Sequence, residues 1–287
     1  MEHRARLIFG CGYLGHRVAQ RWRQAGDVVY AVTRSAARAE RLCAEGLQPL
    51  VADVMQPSTL SSLPACETVL FAVGLDRTTG VAIRDVYVDG LRHVLQSLPE
   101  GSGHFIYISS TGVYGQNDGG WVDESSPCQP QRGGGRACLE AEQLLGRHPQ
   151  RASATILRLA GIYGPGRVPR LQDLRQGRPI ESPAEGYLNL IYVEDAVTAV
   201  VTAAERDGPL SVFNVADGQP VIRRVYFDHI AARLGLSAPL LIDPPAGSGR
   251  QQRGGSSKRV RNTRMLNQLG VQLQFPSYRE GLAAALD

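Results

Sequence analysis

One lysine, Lys258, stands in a chain of 287 residues; the rest of its 31 basic residues are arginines. No run of 18 apolar residues occurs, which excludes a hydrophobic helix long enough to cross a bilayer. The five cysteines (Cys11, Cys43, Cys66, Cys128 and Cys138) are scattered and odd in number. They form no C-x-x-C pair, and no two histidines stand at ligand spacing, which argues against a disulfide framework and a zinc site. The only early apolar patch, Leu7–Phe9, is too short for a secretory core, so a cytoplasmic protein is expected. From Pro244 to Tyr278 there is no acidic residue. Between Gln131 and Leu145 there is neither tyrosine nor lysine.

What is present is globular in character. Hydrophobic residues make up 43% and charged residues 20%, which excludes whole-chain disorder. At about 100–200 residues per domain, the length allows one large domain or one and a half. The net charge of +4 is too mild to imply nucleic acid by itself.

Arg6–Gly10 reads as a short buried strand. Tyr13–Ala25 follows as a helix with Leu14, Val18, Ala19 and Trp22 on one face, stopped by Gly26. Strands over Val28–Thr33, Gln48–Ala52, Thr68–Val73, His104–Ser109 and Ala154–Leu159 alternate with helices over Ala36–Glu45, Val81–Leu98 and Leu139–Leu145. The alternation predicts an α/β fold, a doubly wound parallel sheet of Rossmann type over 1–163. After Gly161 the rhythm changes. Gly164–Gly186 is irregular, Val193–Glu205 and Val221–Leu234 are helical, Val212–Val215 is a short strand, and Pro239–Ser257 is loop-like before a helix over Arg259–Gln268. A smaller C-terminal substrate lobe over 164–287 is expected, with 188–215 returning to the first domain.

Gly10-Cys11-Gly12-Tyr13-Leu14-Gly15 matches G-x-G-x-x-G between a strand and a helix, the setting a dinucleotide needs. Gly10 can make the tight turn, Gly12 can admit the pyrophosphate, and Gly15 can bring helix and strand together. The N–H groups of the helix start would face the phosphates. At the end of the second strand, Thr33-Arg34-Ser35 holds no carboxylate, and Arg38 follows a turn later. A guanidinium suits a 2′-phosphate, so NADP(H) is favoured over NAD. Asp53, with Val54, either meets the adenine edge or caps the next helix. Ala72, Val73, Gly74 and Ser109 would lie along the cofactor.

Several segments resemble the extended short-chain dehydrogenases/reductases of the nucleoside-diphosphate-sugar epimerase/dehydratase type. They are Ile106–Gly115 (IYISSTGVYG), Leu139–Glu142 (LEAE), Leu157–Arg167 (LRLAGIYGPGR) and Asn189–Asp195 (NLIYVED). The resemblance covers nearly the whole chain. It implies that fold, a nicotinamide cofactor, and a Ser or Thr, a Tyr and a Lys as the active set. Ser110 matches the first, with Thr111 beside it. The other two are missing: lined up on the LEAE segment, the Tyr position is Gly134, the Lys position is Cys138, and an Asn frequent in the superfamily is Tyr87. The glycine spacing is that of an atypical branch. A phenol titrates near pH 10 and needs a nearby cation to work near neutrality. Neither glycine nor a neutral thiol supplies it.

Tyr114 and Tyr163, both past strand ends, are the phenols that could reach a substrate; each could equally pack its ring beneath a loop. Ser110 could orient a reacting oxygen or bond the backbone. Arg167 and Asn189 resemble family positions on the substrate side. Arg167, Arg170, Arg175 and Arg178 together suit an anionic small molecule. The run with Arg250, Arg253, Lys258, Arg259, Arg261 and Arg264 reads as a mobile basic lid. Without interleaved aromatics or a reader motif, nucleic acid is not expected. Two functional readings follow. One is an NADP(H)-binding epimerase/dehydratase- or reductase-like enzyme with an atypical site, the proton being handled by Tyr114 or water. The other is a non-catalytic dinucleotide-binding redox sensor. A homodimer would use the Val81–Leu98 and Leu139–Leu145 helices.

Overall fold

A computed structural model describes residues 4–245 and 256–287. Arg250 and Arg253, assigned to the basic lid, lie outside the described residues. The chain divides into two compact units. The first comprises Met1–Ser110, Gly133–Arg158 and Val197–Phe213, and the second Thr111–Arg132, Leu159–Ala196 and Asn214–Asp287. Beside the expected 1–163 with 188–215 returning to it, 197–213 groups with the first unit and 111–132 with the later residues.

The first unit is built on a seven-stranded sheet. Its strands are β1 (Ala5–Phe9), β2 (Val28–Thr33), β3 (Gln48–Val51), β4 (Thr68–Phe71), β5 (His104–Ser110), β6 (Ala154–Leu159) and β7 (Ser211–Val215). Their order is β3-β2-β1-β4-β5-β6-β7, the doubly wound arrangement expected. Phe9 pairs with Val32 on β2 and with Phe71 on β4, both in parallel register. That levels three strand ends and puts Gly10, Arg34 and Ala72 at one carboxyl edge. Central strands buried on both faces read as continuous apolar runs, which is why Leu7–Phe9 and Val69–Phe71 were legible.

Helix α1 (Tyr13–Gln24) buries Leu14, Gly15, Val18, Ala19 and Trp22. It stops where Gly26 turns left-handed at φ +93°. Helix α2 (Ala36–Ala44) starts at Ser35, whose Oγ accepts from Arg38 N at 3.3 Å. The long helix expected over Val81–Leu98 is shorter and irregular. A π turn over Asp85–Asp89 leads into α3 (Gly90–Ser97). Helix α4 spans Gly133–Arg147, six residues earlier than expected. Three glycines in its first turn cost about 1 kcal/mol each relative to alanine. The buried face of Gly135, Ala137, Cys138, Ala141, Glu142 and Leu145 offsets that cost. Helix α5 spans Val193–Ala204.

A buried ion pair ties α4 to β6. Arg158 donates from Nε and Nη2 to the two carboxylate oxygens of Glu142 at 3.0 and 2.7 Å, and Ser109 Oγ donates to Oε1 at 2.5 Å. Both charged side chains are at most 7% exposed.

In the second unit the strands are short. Leu190–Tyr192 runs parallel to Gly161–Tyr163, and Arg259–Val260 runs parallel to Trp121–Val122. The helix expected over Arg259–Gln268 is therefore a strand followed by a π turn over Met265–Leu269. Helices Arg223–Arg233 and Tyr278–Leu286 complete the unit, the second of them not foreseen. The Asp195 carboxylate accepts from Gln274 N at 2.8 Å and Phe275 N at 3.0 Å, which anchors the C-terminal segment. Asp217 is buried, and its Oδ2 has no hydrogen-bond partner among the described residues.

Removing one partner of a buried ion pair typically costs about 3–5 kcal/mol. Arg158→Met is therefore expected to lose about that much in urea unfolding, and Glu142→Leu/Arg158→Leu to recover a large part of it. Burial, reinforced by Asp195 and Glu280, pushes the Asp217 carboxyl up to about 7. A carboxyl raised on folding stabilises when protonated, so its contribution is fully present below the unfolded-state value near 4 and is lost as pH rises through about 7. Thermal melts from pH 4 to 8 should show this fall, and Asp217→Asn should flatten it.

Candidate dinucleotide site

At the end of β1 the chain makes a turn that only glycine fits. Gly10 has φ +88°, and a Cβ there would overlap the Ala72 carbonyl oxygen. A Cβ on Gly15 would overlap the Gly10 carbonyl oxygen. Gly12 differs: a Cβ there would have nothing within 4 Å. Its N–H donates to Gly10 O at 2.8 Å and its carbonyl accepts from His16 N at 2.9 Å. No side chain caps the α1 start, and its first turn carries no acid. Leu14 is buried, and Tyr13 stacks under the Arg17 guanidinium at 4.1 Å. Two glycines are thus required by packing, while the third faces open space at an uncapped helix N-terminus. That arrangement fits a diphosphate.

Around the turn, Arg38 Nη2 donates to the Cys11 carbonyl. Arg34 sits at the end of β2 as expected, and its Nη2 pairs with Asp76 Oδ2 at 3.1 Å. Asp76 is a carboxylate that sequence reasoning missed, since it follows β4 and is 42 residues away. The Thr78 hydroxyl, then the Thr78 N–H and Arg34, hold its carboxyl below the usual range. Ser35 is occupied in capping α2. Asp53 Oδ1 accepts from Met55 N at 2.9 Å, a local turn rather than the cap of the next helix, which starts after Gln56. The Val54 side chain packs on Gly90, and its carbonyl meets His93 Nδ1 at 2.8 Å. Ala72 and Val73 are half-buried, and Gly74 lies in open space.

Where the family pattern places a lysine, the first unit has the Cys138 thiol. It is 5% exposed, and burial pushes it up to about 11, so it stays neutral. Its polar neighbours are the Tyr107 hydroxyl, the Ser109 hydroxyl and the Ser110 N–H. At the tyrosine position, a Cβ on Gly134 would lie 3.3 Å from Ile83 Cδ1. Tyr87 is the half-buried phenol the structure brings near Cys138; its oxygen also accepts from the Leu75 N–H, and burial raises it above its usual value. Ser110 ends β5 and is half-buried. Ser109, expected along the cofactor, turns its hydroxyl inward to Glu142, because alternate residues of a strand face opposite ways.

In the second unit, three of the expected residues are held by partners within the fold. Tyr114 is 2% exposed and donates its hydroxyl to Asn214 Oδ1 at 2.8 Å, the packed arrangement of the two alternatives. Tyr163 is fully buried, with its hydroxyl toward Ser277 O at 3.4 Å and against Gly281. Asn189 spends both ends of its amide on backbone: Nδ2 donates to Lys258 O at 2.9 Å and Oδ1 accepts from Val260 N at 2.7 Å. Arg167 remains exposed in a turn closed by its N–H to Gly164 O at 2.9 Å. Thr111 is buried at the start of a 3-10 turn. The basic lid is also revised: Arg259 and Arg261 lie over the Trp121 ring at 5.0 and 5.1 Å, and Lys258 is buried.

The sheet order and the glycine turn define a dinucleotide-binding protein of Rossmann type. Residues 7–216 match the sequence model of the NAD dependent epimerase/dehydratase family, and the chain belongs to that family. It is 31% identical over 171 residues to protein YeeZ of Escherichia coli K12, a match that takes in 60% of this chain and 58% of YeeZ. The chain thus spans less than two thirds of that relative's length. It is 25% identical to a 3-diazoavenalumate denitrifying reductase of a Streptomyces species over 96% of this chain and 98% of the reductase. A Methylobacillus flagellatus structure described as an NAD-dependent epimerase/dehydratase is 32% identical, with a TM-score of 0.76, covering 99% of this chain and 98% of that one. Among the described residues no helix is long and apolar enough to cross a membrane, and no group of three or more acidic, histidine or cysteine side chains could hold a metal ion.

Gly12→Ala puts a methyl into space the protein itself does not use. Its melting temperature should stay within about 2 °C of the parent, while NAD(P)H affinity by fluorescence titration falls at least about tenfold. Gly10→Ala should instead lower stability outright, since it meets both a left-handed φ and the Ala72 carbonyl.

Proposed function

We propose that the chain is an NADP(H)-dependent oxidoreductase of this family, of reductase type, acting on a small oxygenated anionic molecule. The observation that carries this reading is the combination of an open Gly12 cradle with Gly134 and Cys138 where a phenol and an ammonium would stand. Gly10, Gly12, Tyr13, Leu14 and Gly15 would hold the diphosphate, with Val73 and Gly74 alongside. When bound, the nicotinamide supplies hydride chemistry of its own.

The remaining work falls to this chain's side chains. Ser110 would orient the reacting oxygen. Tyr87, neutral at physiological pH, would donate a proton, with solvent restoring it. Losing a placed acid or base costs about 10²–10⁴-fold in rate, so slow turnover is expected. An epimerisation must both remove and return a proton at the substrate oxygen, and so depends more heavily on the missing pair. A reduction needs a single delivery, and the resemblance to a Streptomyces reductase supports that choice.

Arg34 would hold the 2′-phosphate of NADP after leaving Asp76, a neighbour that competes for it. Arg34→Ala should therefore weaken NADPH more than NADH, and Asp76→Asn should tighten NADPH selectively. Equal changes for both cofactors would remove the NADP assignment.

The absent phenol–ammonium pair also favours a second reading, a dinucleotide-binding redox sensor without turnover. Cofactor titration followed by nicotinamide absorbance with a panel of nucleotide sugars and small carbonyl acids separates the two. Saturable NADPH binding with slow oxidation, lowered further in Tyr87→Phe, is the expected result. Saturable binding with no oxidation by any member of the panel assigns the chain to the sensor class.

A further inference from the structure

Between β4 and the π turn the first unit carries a short strap. Gly74 and Gly80 bound it: a Cβ on either would have nothing within 4 Å, and Gly80 is left-handed at φ +70°. Glycines in open space at both ends let the piece between them swing. Residues 75–79 are bonded to one another through Asp76. Its Oδ1 accepts from Thr78 N at 3.0 Å and from Thr78 Oγ1 at 2.6 Å, and its carbonyl accepts from Thr79 Oγ1 at 2.8 Å. The strap therefore shifts as one piece.

Adjacent residues of the strap reach two separate places. At the exit of β2, Asp76 Oδ2 pairs with Arg34 Nη2 at 3.1 Å. On the π turn, the Tyr87 oxygen accepts from the Leu75 N–H. Burial and then the Cys138 thiol of α4 raise this phenol, while the Leu75 N–H and the Arg77 guanidinium, both on the strap, oppose them. The Tyr107 hydroxyl of β5 lies near both Tyr87 and Cys138. Wide π turns concentrate at functional sites, and this one carries Tyr87. The tie at Arg34 is the weaker of the two. Arg34 is 53% and Asp76 41% exposed, and exposed ion pairs contribute little. A doubly charged phosphate meets the same guanidinium fork with more charge and two parallel hydrogen bonds, so it displaces the carboxylate.

We propose that Leu75 and Asp76 are positioning residues for Tyr87. With Arg34 on Asp76, the strap holds the phenol oxygen on the Leu75 N–H; a 2′-phosphate that takes Arg34 releases the strap and frees the phenol to meet the substrate oxygen. This rests on the NADP(H) and Tyr87 readings above and adds the link between them. Cofactor choice then has a consequence at the proton donor: NADP(H) frees Tyr87, and NAD(H), without a 2′-phosphate, leaves it held. A ligand shifts such an equilibrium only by its differing affinity for the two states, and here that difference is the competition for one guanidinium.

Adenosine 2′,5′-bisphosphate and adenosine 5′-monophosphate separate this link from direct contact, since neither carries the nicotinamide end. Full-length protein labelled with 3-fluorotyrosine reports Tyr87 as the 19F resonance absent from Tyr87→Phe. The bisphosphate should move that resonance saturably and raise the pH at which the phenol titrates by ~0.5 as the strap's N–H and guanidinium withdraw. It should also speed amide exchange at Leu75 by about tenfold. The monophosphate at saturation should do neither. Asp76→Asn keeps an oxygen for Thr78 but places an amide nitrogen beside Arg34. It should show the raised titration and fast exchange without ligand, and no further response to the bisphosphate. Preferential binding of the bisphosphate with an unmoved Tyr87 resonance and unchanged Leu75 exchange overturns the link and leaves the cofactor reading intact. Equal binding of the two nucleotides overturns the cofactor reading and the link with it. A Tyr87 response that persists in full in Asp76→Asn is a through-space effect of the phosphate and also overturns the proposal.

Discussion

The contact of backbone on backbone at the first strand end governs the rest of the first unit. Gly10 leans on the Ala72 carbonyl of the neighbouring strand's exit, and Gly15 leans on Gly10. Neither approach leaves room for a Cβ. Together they set how α1 leaves β1 and hold the helix start at the carboxyl edge, with Gly12 left clear. The open start of α1 is in this sense a by-product of close packing: the same glycines that let the helix meet the sheet leave its N-terminus without a side-chain cap.

The polar interior obeys a different rule. Glu142 and Arg158 are acceptable when buried because each satisfies the other, with Ser109 completing the set. A short distance along α4, the position that family members give to an ammonium holds a neutral thiol. A cation there would need a partner or a solvated path. With cysteine it needs neither, and the interior at Cys138 is closed with hydroxyls and an N–H. The only ammonium of the chain lies instead in the second unit, among neutral acceptors and other cations.

How much was legible depends on whether a residue's role is local. The β1–α1 turn was, because strand, glycine spacing and helix face lie in one short stretch. So was the sheet, because central strands advertise themselves as apolar runs. Helix α4 was only half legible: Gly133–Gly135 have poor helix propensity, and the face that holds them in a helix is visible only once packed. Asp76 was hidden because its partner Arg34 is on another strand exit, and the carboxyl edge alone makes them neighbours. Tyr87 was noted only as a departure from an asparagine; its nearness to Cys138 depends on how the π turn and α4 pack.

The sequence alone determined the fold class, the glycine spacing of the β1–α1 turn and the absence of tyrosine and lysine between Gln131 and Leu145. Each rests on residue identity at fixed spacing, and no folding can put a lysine into the Gln131–Leu145 segment, which lacks one. Tertiary structure decided which polar side chains are free to act. Tyr114, Tyr163 and Asn189 carry the right functional groups, yet each is bound to a partner far along the chain. A buried polar group must find a hydrogen bond wherever the fold brings one, and that requirement is not written in any local pattern.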